Sequence, residues 1–165
     1  MNIIKYFLVV LAIIFFTSCS KNTEKESLIK EKNLESQVYE AYEEGMKSLN
    51  EGDAIFAAKK FNEAEILFPQ SIMAPKSALM AAYSYYSQNY YLDAIAELER
   101  FLRVYPSHKN IDYANYLLAV SFYELIVDEK KDTQSISNAK KYFTIVKKKY
   151  PNTEYAIDAD FKLDL

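Results

Sequence analysis

The fold is decided by residues 81–125, which read AAYSYYSQNYYLDAIAELERFLRVYPSHKNIDYANYLLAVSFYEL. In this stretch the small residue Ala82 is followed 37 residues later by Ala119, and Gly45 lies 37 residues before Ala82. The same spacing relates two more pairs of landmarks, Ala57 with Ala94 and Phe68-Pro69 with Tyr105-Pro106. A fixed period of this length is the signature of stacked structural repeats.

Each repeat contains two apolar-patterned segments, a short polar turn between them, and a proline after the second segment. This order predicts a helix, a turn and a second helix, because proline cannot continue a helix and therefore ends the second one. The small residues mark where the two helices approach closely, and Phe61, Leu98 and Phe143 are predicted to fill the facing gap. The predicted helices span residues 38–50 and 54–67 in the first repeat, 74–87 and 91–104 in the second, and 111–127 and 136–149 in the third.

The third repeat is longer than the other two. Ala139 and Tyr150-Pro151 both lie 45 residues after their counterparts, so eight residues are added between Tyr123 and Ala139. Because the segment from Asp128 to Ser137 is polar and turn-like, we predict one longer loop inside an otherwise unchanged repeat.

A fourth first helix is predicted from Thr153 to Leu165, where the sequence ends. No second helix follows to cover its apolar face. The residues predicted to lack a partner are Ala156, Ala159, Phe161 and Leu163. Either this helix serves as a terminal cap, or the natural protein continues into further repeats. We expect the second, because capping helices usually carry a polar outer face. The predicted fold class is all-α, a solenoid of three helix pairs plus a terminal helix within residues 37–165.

The N-terminal residues have the pattern of an export signal. Lys5 is followed by eleven apolar residues, Tyr6 to Phe16, whereas a membrane-spanning helix needs about 20. Thr17-Ser18-Cys19 comes directly afterwards and resembles a bacterial lipobox, in which the cysteine becomes acylated. We therefore predict a cleaved signal peptide over residues 1–18 and a lipid-modified Cys19 at the mature N-terminus.

The segment after this cysteine is predicted to be a tether. Residues 19–36 are highly charged and contain few aliphatic side chains, so they cannot bury enough surface to order themselves. Ser20 stands where Asp is the familiar inner-membrane retention signal of enteric lipoproteins. The lipoprotein resemblance thus implies an anchor in the bacterial outer membrane, on its periplasmic side.

The composition excludes several functional classes. The chain has only two glycines, Gly45 and Gly52, so no glycine-rich phosphate loop is present. One cysteine and one histidine, His108, exclude disulfide frameworks and paired His/Cys metal sites. A formal net charge of −3 gives no general attraction to nucleic acid. We predict no cofactor, no metal and no catalytic site, and a structural role for His108 in a turn.

The repeat resembles the tetratricopeptide repeat, which has a small residue at position eight, alanine at twenty, an aromatic residue at twenty-four and proline at thirty-two. The matching residues of the first repeat are Gly45, Ala57, Phe61, Ala64 and Pro69. The resemblance implies a concave surface lined by positions two, five, nine and twelve of each first helix. Tyrosine occupies seven of these twelve positions here.

The concave tyrosines are the candidate binding residues. Tyrosine combines a large contact area with a hydroxyl that tolerates water, which suits a surface that holds an extended peptide. The predicted peptide-binding groove consists of Tyr42, Tyr83, Tyr86, Tyr113, Tyr116 and Tyr123. The alternative is that individual tyrosines merely complete the core.

A second surface feature is a group of lysines on the last predicted second helix, Lys140, Lys141, Lys147, Lys148 and Lys149. Such a group forms either a solvated face or a contact with a partner or with anionic lipid.

Two segments resemble the BamD-type (ComL/YfiO) outer-membrane assembly lipoproteins. Residues 106–116, PSHKNIDYANY, are similar to the family segment Pro-x-His-Pro-x-x-x-Tyr-Ala-x-Tyr, with Lys109 in place of the second proline. Residues 150–159, YPNTEYAIDA, are similar to its Tyr-Pro-x-Ser-x-Tyr-Ala-x-Asp-Ala segment. The likeness extends to Cys19 and covers nearly all of the predicted mature chain.

The resemblance implies a lipid-anchored, non-enzymatic scaffold of the β-barrel assembly machinery. The implied partners are a BamA-type barrel insertase, other assembly lipoproteins, and unfolded outer-membrane proteins, whose C-terminal signal ends in an aromatic residue. An alternative is a periplasmic repeat lipoprotein that coordinates cell division or peptidoglycan synthesis. A third reading, the helical superstructure of a peptidoglycan-cleaving transglycosylase, needs a catalytic domain that these 165 residues do not contain.

Overall fold

The computed structural model describes residues 33–128 and 133–164, which form seven α-helices and no β-strand. The helices are α1 (Leu34–Asn50), α2 (Ala54–Leu67), α3 (Met73–Ser87), α4 (Tyr91–Val104), α5 (Ile111–Asp128), α6 (Thr133–Lys149) and α7 (Glu154–Leu163). Each helix packs against the next one along the chain. The prediction of three helix pairs and a terminal helix is confirmed. Within this part of the chain, no helix is both long and apolar enough to cross a bilayer.

The first helix begins earlier than predicted. α1 starts at Leu34, so residues 34–36, which we expected in the tether, are helical. The Asn33 side chain accepts a hydrogen bond from the Glu35 N–H at 3.2 Å, and this N-terminal cap accounts for the boundary. The predicted signal peptide and Cys19 lie outside the described residues.

The core lies between the paired helices. Phe61, Leu98 and Phe143, the residues predicted to fill these gaps, are at most 2% exposed. One hydrophobic cluster joins α1, α2 and one side of α3, and a second cluster extends from α3 to α7. Neighbouring residues of α3 serve both clusters, because Ala81 packs in the first and Ala82 in the second. Stacking thus produces an interior that continues from one pair to the next.

Gly45 allows α1 and α2 to approach closely. A Cβ atom at this position would lie 2.9 Å from two ring carbons of Phe61, which is fully buried. We expect Gly45→Ala to destabilise the protein by about 1–2 kcal/mol, because overpacking outweighs the gain in helix propensity. Thermal or urea denaturation measures the effect.

A matched control exists at the other glycine. Gly52 has φ +82° and nothing within 4 Å of an added Cβ, and Asn89, which is 37 residues further on, adopts φ 65°. Asparagine tolerates the left-handed region better than most residues. Gly52→Asn should therefore change stability by less than about 0.5 kcal/mol. Equal effects of the two substitutions would contradict the close-contact argument.

In each connection between repeats, a residue at the same repeat position accepts a hydrogen bond from a backbone N–H that follows it. The Ser71 and Thr153 hydroxyls accept hydrogen bonds from the N–H groups of Ala74 and Ala156 at 3.2 and 3.3 Å. His108 stands at the same place in the connection between the second and third pairs, where its Nδ1 accepts from the Asn110 N–H at 3.3 Å. Its ring also lies edge-on to Phe101, with centroids 5.5 Å apart. His108 therefore has the structural turn role that the sequence suggested.

A buried ion-pair network joins α2 to α4. Both guanidinium Nη atoms of Arg100 donate to Glu65, at 2.8 and 2.7 Å, and Glu65 is only 6% exposed. Arg100 also donates from Nε to Glu97 at 2.9 Å. The Tyr105 hydroxyl donates to Glu65 at 2.7 Å, and burial together with this bond raises the pKa of Tyr105 to about 12. The second helices of the first two pairs are therefore linked by polar contacts as well as by apolar packing.

The prediction that the eight added residues of the third repeat form one longer loop is wrong. α5 continues to Asp128 and α6 begins at Thr133, so most of the added residues lengthen two helices. The segment contributes to packing as well, because Ser135 is only 5% exposed. Residues 129–132, between the two helices, lie outside the described residues.

The prediction that the α7 residues lack partners is also wrong in part. Ala156 and Ala159 are 5% and 0% exposed, and Leu163 packs against the same core cluster. α7 contacts both α6 and α5, so these two preceding helices cover the three side chains. Phe161 does remain 64% exposed.

Ser77 has an unusual environment in α3. Its side chain is fully buried, and its hydroxyl has no hydrogen-bond partner among the described residues. Ser77→Ala should therefore raise the free energy of unfolding by about 0.5–1 kcal/mol. Ser121→Ala is the control, because that equally buried hydroxyl donates to the Leu117 carbonyl at 2.8 Å. Urea denaturation should show a stabilising effect only at residue 77, and a loss of stability there would contradict this argument.

Candidate peptide-binding groove

The first helices α3 and α5 bring four predicted groove tyrosines into one neighbourhood. Tyr83 of α3 and Tyr113 of α5 line one pocket, and the rings of Tyr113 and Tyr116 both contact the ring of Tyr155. Negative charge on Tyr86 would raise the pKa of both Tyr113 and Tyr116. Burial is the largest cause of the raised pKa at both Tyr113 and Tyr116. At neutral pH the hydroxyls of Tyr113 and Tyr116 are therefore protonated, so these two side chains are uncharged and able to hydrogen-bond.

A pocket of about 260 Å³ opens between α3 and α5. Its residues are Lys76, Leu79, Met80, Tyr83, Asn110 and Tyr113. Two tyrosines and two aliphatic side chains provide apolar walls, while Lys76 and Asn110 provide a cation and an amide. The volume lies just below the range of about 300–1,000 Å³ for small-molecule sites, so it suits a single side chain.

α7 extends the aromatic surface with Tyr155, which is not among the predicted groove residues. Tyr155 stacks on Tyr116 with ring centroids 5.1 Å apart and lies 5.5 Å from the ring of Tyr113. The Tyr116 hydroxyl donates to Asp158 at 2.7 Å. The repeat spacing could have indicated Asp158 as a groove residue, because it follows Tyr113 by 45 residues, which is the spacing found in the third repeat.

The other two predicted groove tyrosines lie elsewhere. Tyr42 is only 6% exposed and packs edge-on against Phe61 at 5.1 Å, so it belongs to the core of the first pair. Lys76 covers its ring, with Nζ 4.4 Å from the centroid. Tyr123 is half-buried near the end of α5, where the Lys162 ammonium lies 4.7 Å from its ring centroid. The open part of the predicted groove is therefore centred on Tyr83 and Tyr113.

His108 provides a titratable group in this part of the fold. Burial lowers its pKa, and the positive charge of Lys109 adds to this effect. The folded state therefore favours neutral imidazole, whose Nδ1 accepts the Asn110 N–H. The stabilisation is present above pH about 6.5 and is lost as the pH falls through the lowered folded-state pKa.

We expect His108→Thr to remove this pH dependence, because threonine caps the equivalent turn at Thr153 without titrating in this range. Urea denaturation of both proteins between pH 7.5 and 5 measures the effect. The stability of the wild type relative to the variant should decrease with falling pH, and parallel profiles would contradict the assignment.

The described residues contain no group of three or more His, Cys, Asp or Glu side chains suited to hold a metal ion. The fold defines a tetratricopeptide-like repeat protein, and Tyr83 and Tyr113 line a pocket between two of its first helices.

Comparison with known proteins assigns this repeat protein to a family. The family described as outer membrane lipoprotein, YfiO, matches residues 34–165, and the chain belongs to it. The chain is 35% identical to outer membrane protein assembly factor BamD of Caulobacter vibrioides over 147 residues, which cover 89% of this chain and 47% of that protein. It is 37% identical to BamD of Rickettsia prowazekii over 124 residues, which cover 75% and 49%. The chain thus spans about half the length of the curated relatives it matches.

Proposed function

We propose that this protein is a lipid-anchored scaffold that takes part in the assembly of outer-membrane β-barrel proteins. Membership in the outer membrane lipoprotein family and similarity to proteins named BamD support this role. The proposed partners are a BamA-type barrel insertase, other assembly lipoproteins and unfolded outer-membrane proteins. The proposal contains no catalytic step, since binding and positioning are sufficient for a scaffold.

The anchor is proposed to be an acylated Cys19 in the outer membrane, facing the periplasm. Two or more acyl chains on one residue suffice for stable attachment without a spanning helix. Mass spectrometry of the protein isolated from native membranes tests this: we expect a mature N-terminus at Cys19 with added acyl mass. A retained Met1 or an unmodified Cys19 would refute the proposed anchor.

The pocket between α3 and α5 is the observation that supports substrate binding most directly. Tyr83 and Tyr113 line it together with the cation of Lys76. An aromatic side chain at a peptide C-terminus has matching chemistry, since its ring suits the apolar walls and its carboxylate can pair with the Lys76 ammonium. We therefore propose that the groove binds the C-terminal segment of unfolded barrel proteins.

The test is a fluorescence titration of the full chain, purified in mild detergent, with a labelled barrel C-terminal peptide. A scrambled peptide and the same peptide with an amidated C-terminus serve as matched controls. The native peptide should bind more tightly than either control. Equal affinity for native and scrambled peptides would remove the groove from the proposed function, whereas equal affinity for the amidated peptide would remove only the role of Lys76.

A further inference from the structure

Positive charge is concentrated on one helix of an otherwise acidic chain. The 17 residues of α6 include five lysines and no carboxylate, whereas the whole chain has a formal net charge of −3. Lys147 pairs with Asp160 of α7. For the other four lysines, Lys140, Lys141, Lys148 and Lys149, the structure shows no ion pair with the residues that it describes. α6 therefore presents unneutralised positive charge to its surroundings.

These four lysines share one outer surface, which we call the α6 lysine face. They line an open, shallow depression formed only by residues of α6, together with the half-buried Ile145. Lys141 and Lys148 are seven residues apart and thus lie on the same side of the helix. The charged row from Lys140 to Lys149 is about 14 Å long. Among the described carboxylates, Glu99 of α4 raises the pKa of Tyr142, and Asp160 of α7 pairs with Lys147.

We infer that the α6 lysine face contacts the anionic headgroups of a phospholipid bilayer. The charge is complementary, and the face is open and shallow, as a contact with a planar surface requires. α6 contains lysine and no arginine. Lysine is a flexible, hydrated point charge suited to a diffuse anionic surface, whereas a defined acidic motif in a protein is more often held by the rigid, bidentate guanidinium of arginine.

The proposed lipid anchor strengthens this inference, because it would hold the domain beside a membrane. The 14 residues from Cys19 to Asn33 span at most about 50 Å when fully extended, so the domain cannot move far from the bilayer surface. Lysines that come within a Debye length of an anionic surface, about 8 Å at physiological salt, are attracted individually and their effects add. The lysine face would then orient the repeat domain on the membrane.

Lysine footprinting by amine acetylation and mass spectrometry tests the inference on the intact chain. The protein is reconstituted in vesicles of phosphatidylcholine alone, which has no reactive amine, or of phosphatidylcholine with phosphatidylglycerol. We expect Lys141 and Lys148 to become severalfold less reactive only with phosphatidylglycerol, while Lys59 on α2 keeps its reactivity. At 1 M salt, where the Debye length is about 3 Å, the protection should disappear.

The matched variants are Lys141→Gln/Lys148→Gln and, as control, Lys59→Gln/Arg103→Gln on the outer surfaces of α2 and α4. The first should abolish most of the protection of Lys140 and Lys149, because each lysine removed weakens the attraction to the anionic surface about fivefold, and the second should leave that protection unchanged. The inference would be overturned by equal protection of the α6 lysines in neutral vesicles or by equal protection of Lys59. It would also be overturned if soluble polyglutamate protected these lysines more strongly than phosphatidylglycerol does. Acylation of Cys19 is measured in the same spectra, so failure of the anchor and failure of the lysine face are distinguishable.

Discussion

Replacing Arg100 with alanine is expected to lower the free energy of unfolding by about 2–4 kcal/mol. Arg100 supplies two of the three hydrogen bonds that reach the buried Glu65 carboxylate from other side chains, and Tyr105 supplies the third. Removing the guanidinium leaves a carboxylate that is 6% exposed without its counter-charge. The Arg100 side chain is itself 32% exposed, so we place the effect below that of a fully buried pair. Urea denaturation followed by circular dichroism measures it.

Two controls separate the network from a general loss of charge. Arg103→Ala, on the exposed side of the same helix, should change stability by less than about 0.5 kcal/mol. The double variant Glu65→Leu/Arg100→Leu should recover most of the loss, because a buried pair replaced by apolar residues costs little. An Arg100→Ala variant as stable as Arg103→Ala would contradict the role of the network.

The helix boundaries were largely predictable because several local signals coincide. α2 and α4 end where the sequence predicted, at Leu67 and Val104, because a proline follows two residues later in each case; α3 ends as predicted at Ser87, where the turn residues Gln88 and Asn89 follow. The lengthening of α5 and α6 was not predictable from polarity. A polar segment such as residues 133–137 suits a loop, but it equally suits the solvent-exposed end of a helix.

The groove was predictable as a surface but not residue by residue. The repeat register gives the direction in which a side chain leaves its helix, and Tyr83 and Tyr113, which it places on the same surface, line one pocket. The register does not show how deeply a side chain is buried. Tyr42 leaves α1 in the equivalent direction, yet Phe61 and Lys76 enclose it. The Glu65–Arg100 pair was missed for a similar reason, because a chain with 43 charged side chains offers many possible partners and sequence spacing alone selects none.

The double substitution Tyr83→Ala/Tyr113→Ala is expected to weaken binding of a barrel C-terminal peptide more than tenfold. Each aromatic contact contributes about 0.5–1.5 kcal/mol beyond burial, so each single change should weaken binding severalfold. The two residues line the same pocket, so their effects need not add, and both single variants must be measured. The peptide titration described above gives the affinities.

The control for the double substitution is Tyr90→Ala, which removes a 44% exposed tyrosine that contacts Tyr85 and does not line the pocket. Tyr113 is half-buried, so its truncation also affects folding, and urea denaturation of each variant is needed alongside the titration. Tyr113→Phe keeps the ring and removes only the hydroxyl. If the ring provides the binding energy, this variant should retain most of the affinity that Tyr113→Ala loses. A folded double variant that binds the peptide as tightly as the wild type would exclude the pocket as the binding site, and the chain would then act by contacting assembly partners alone.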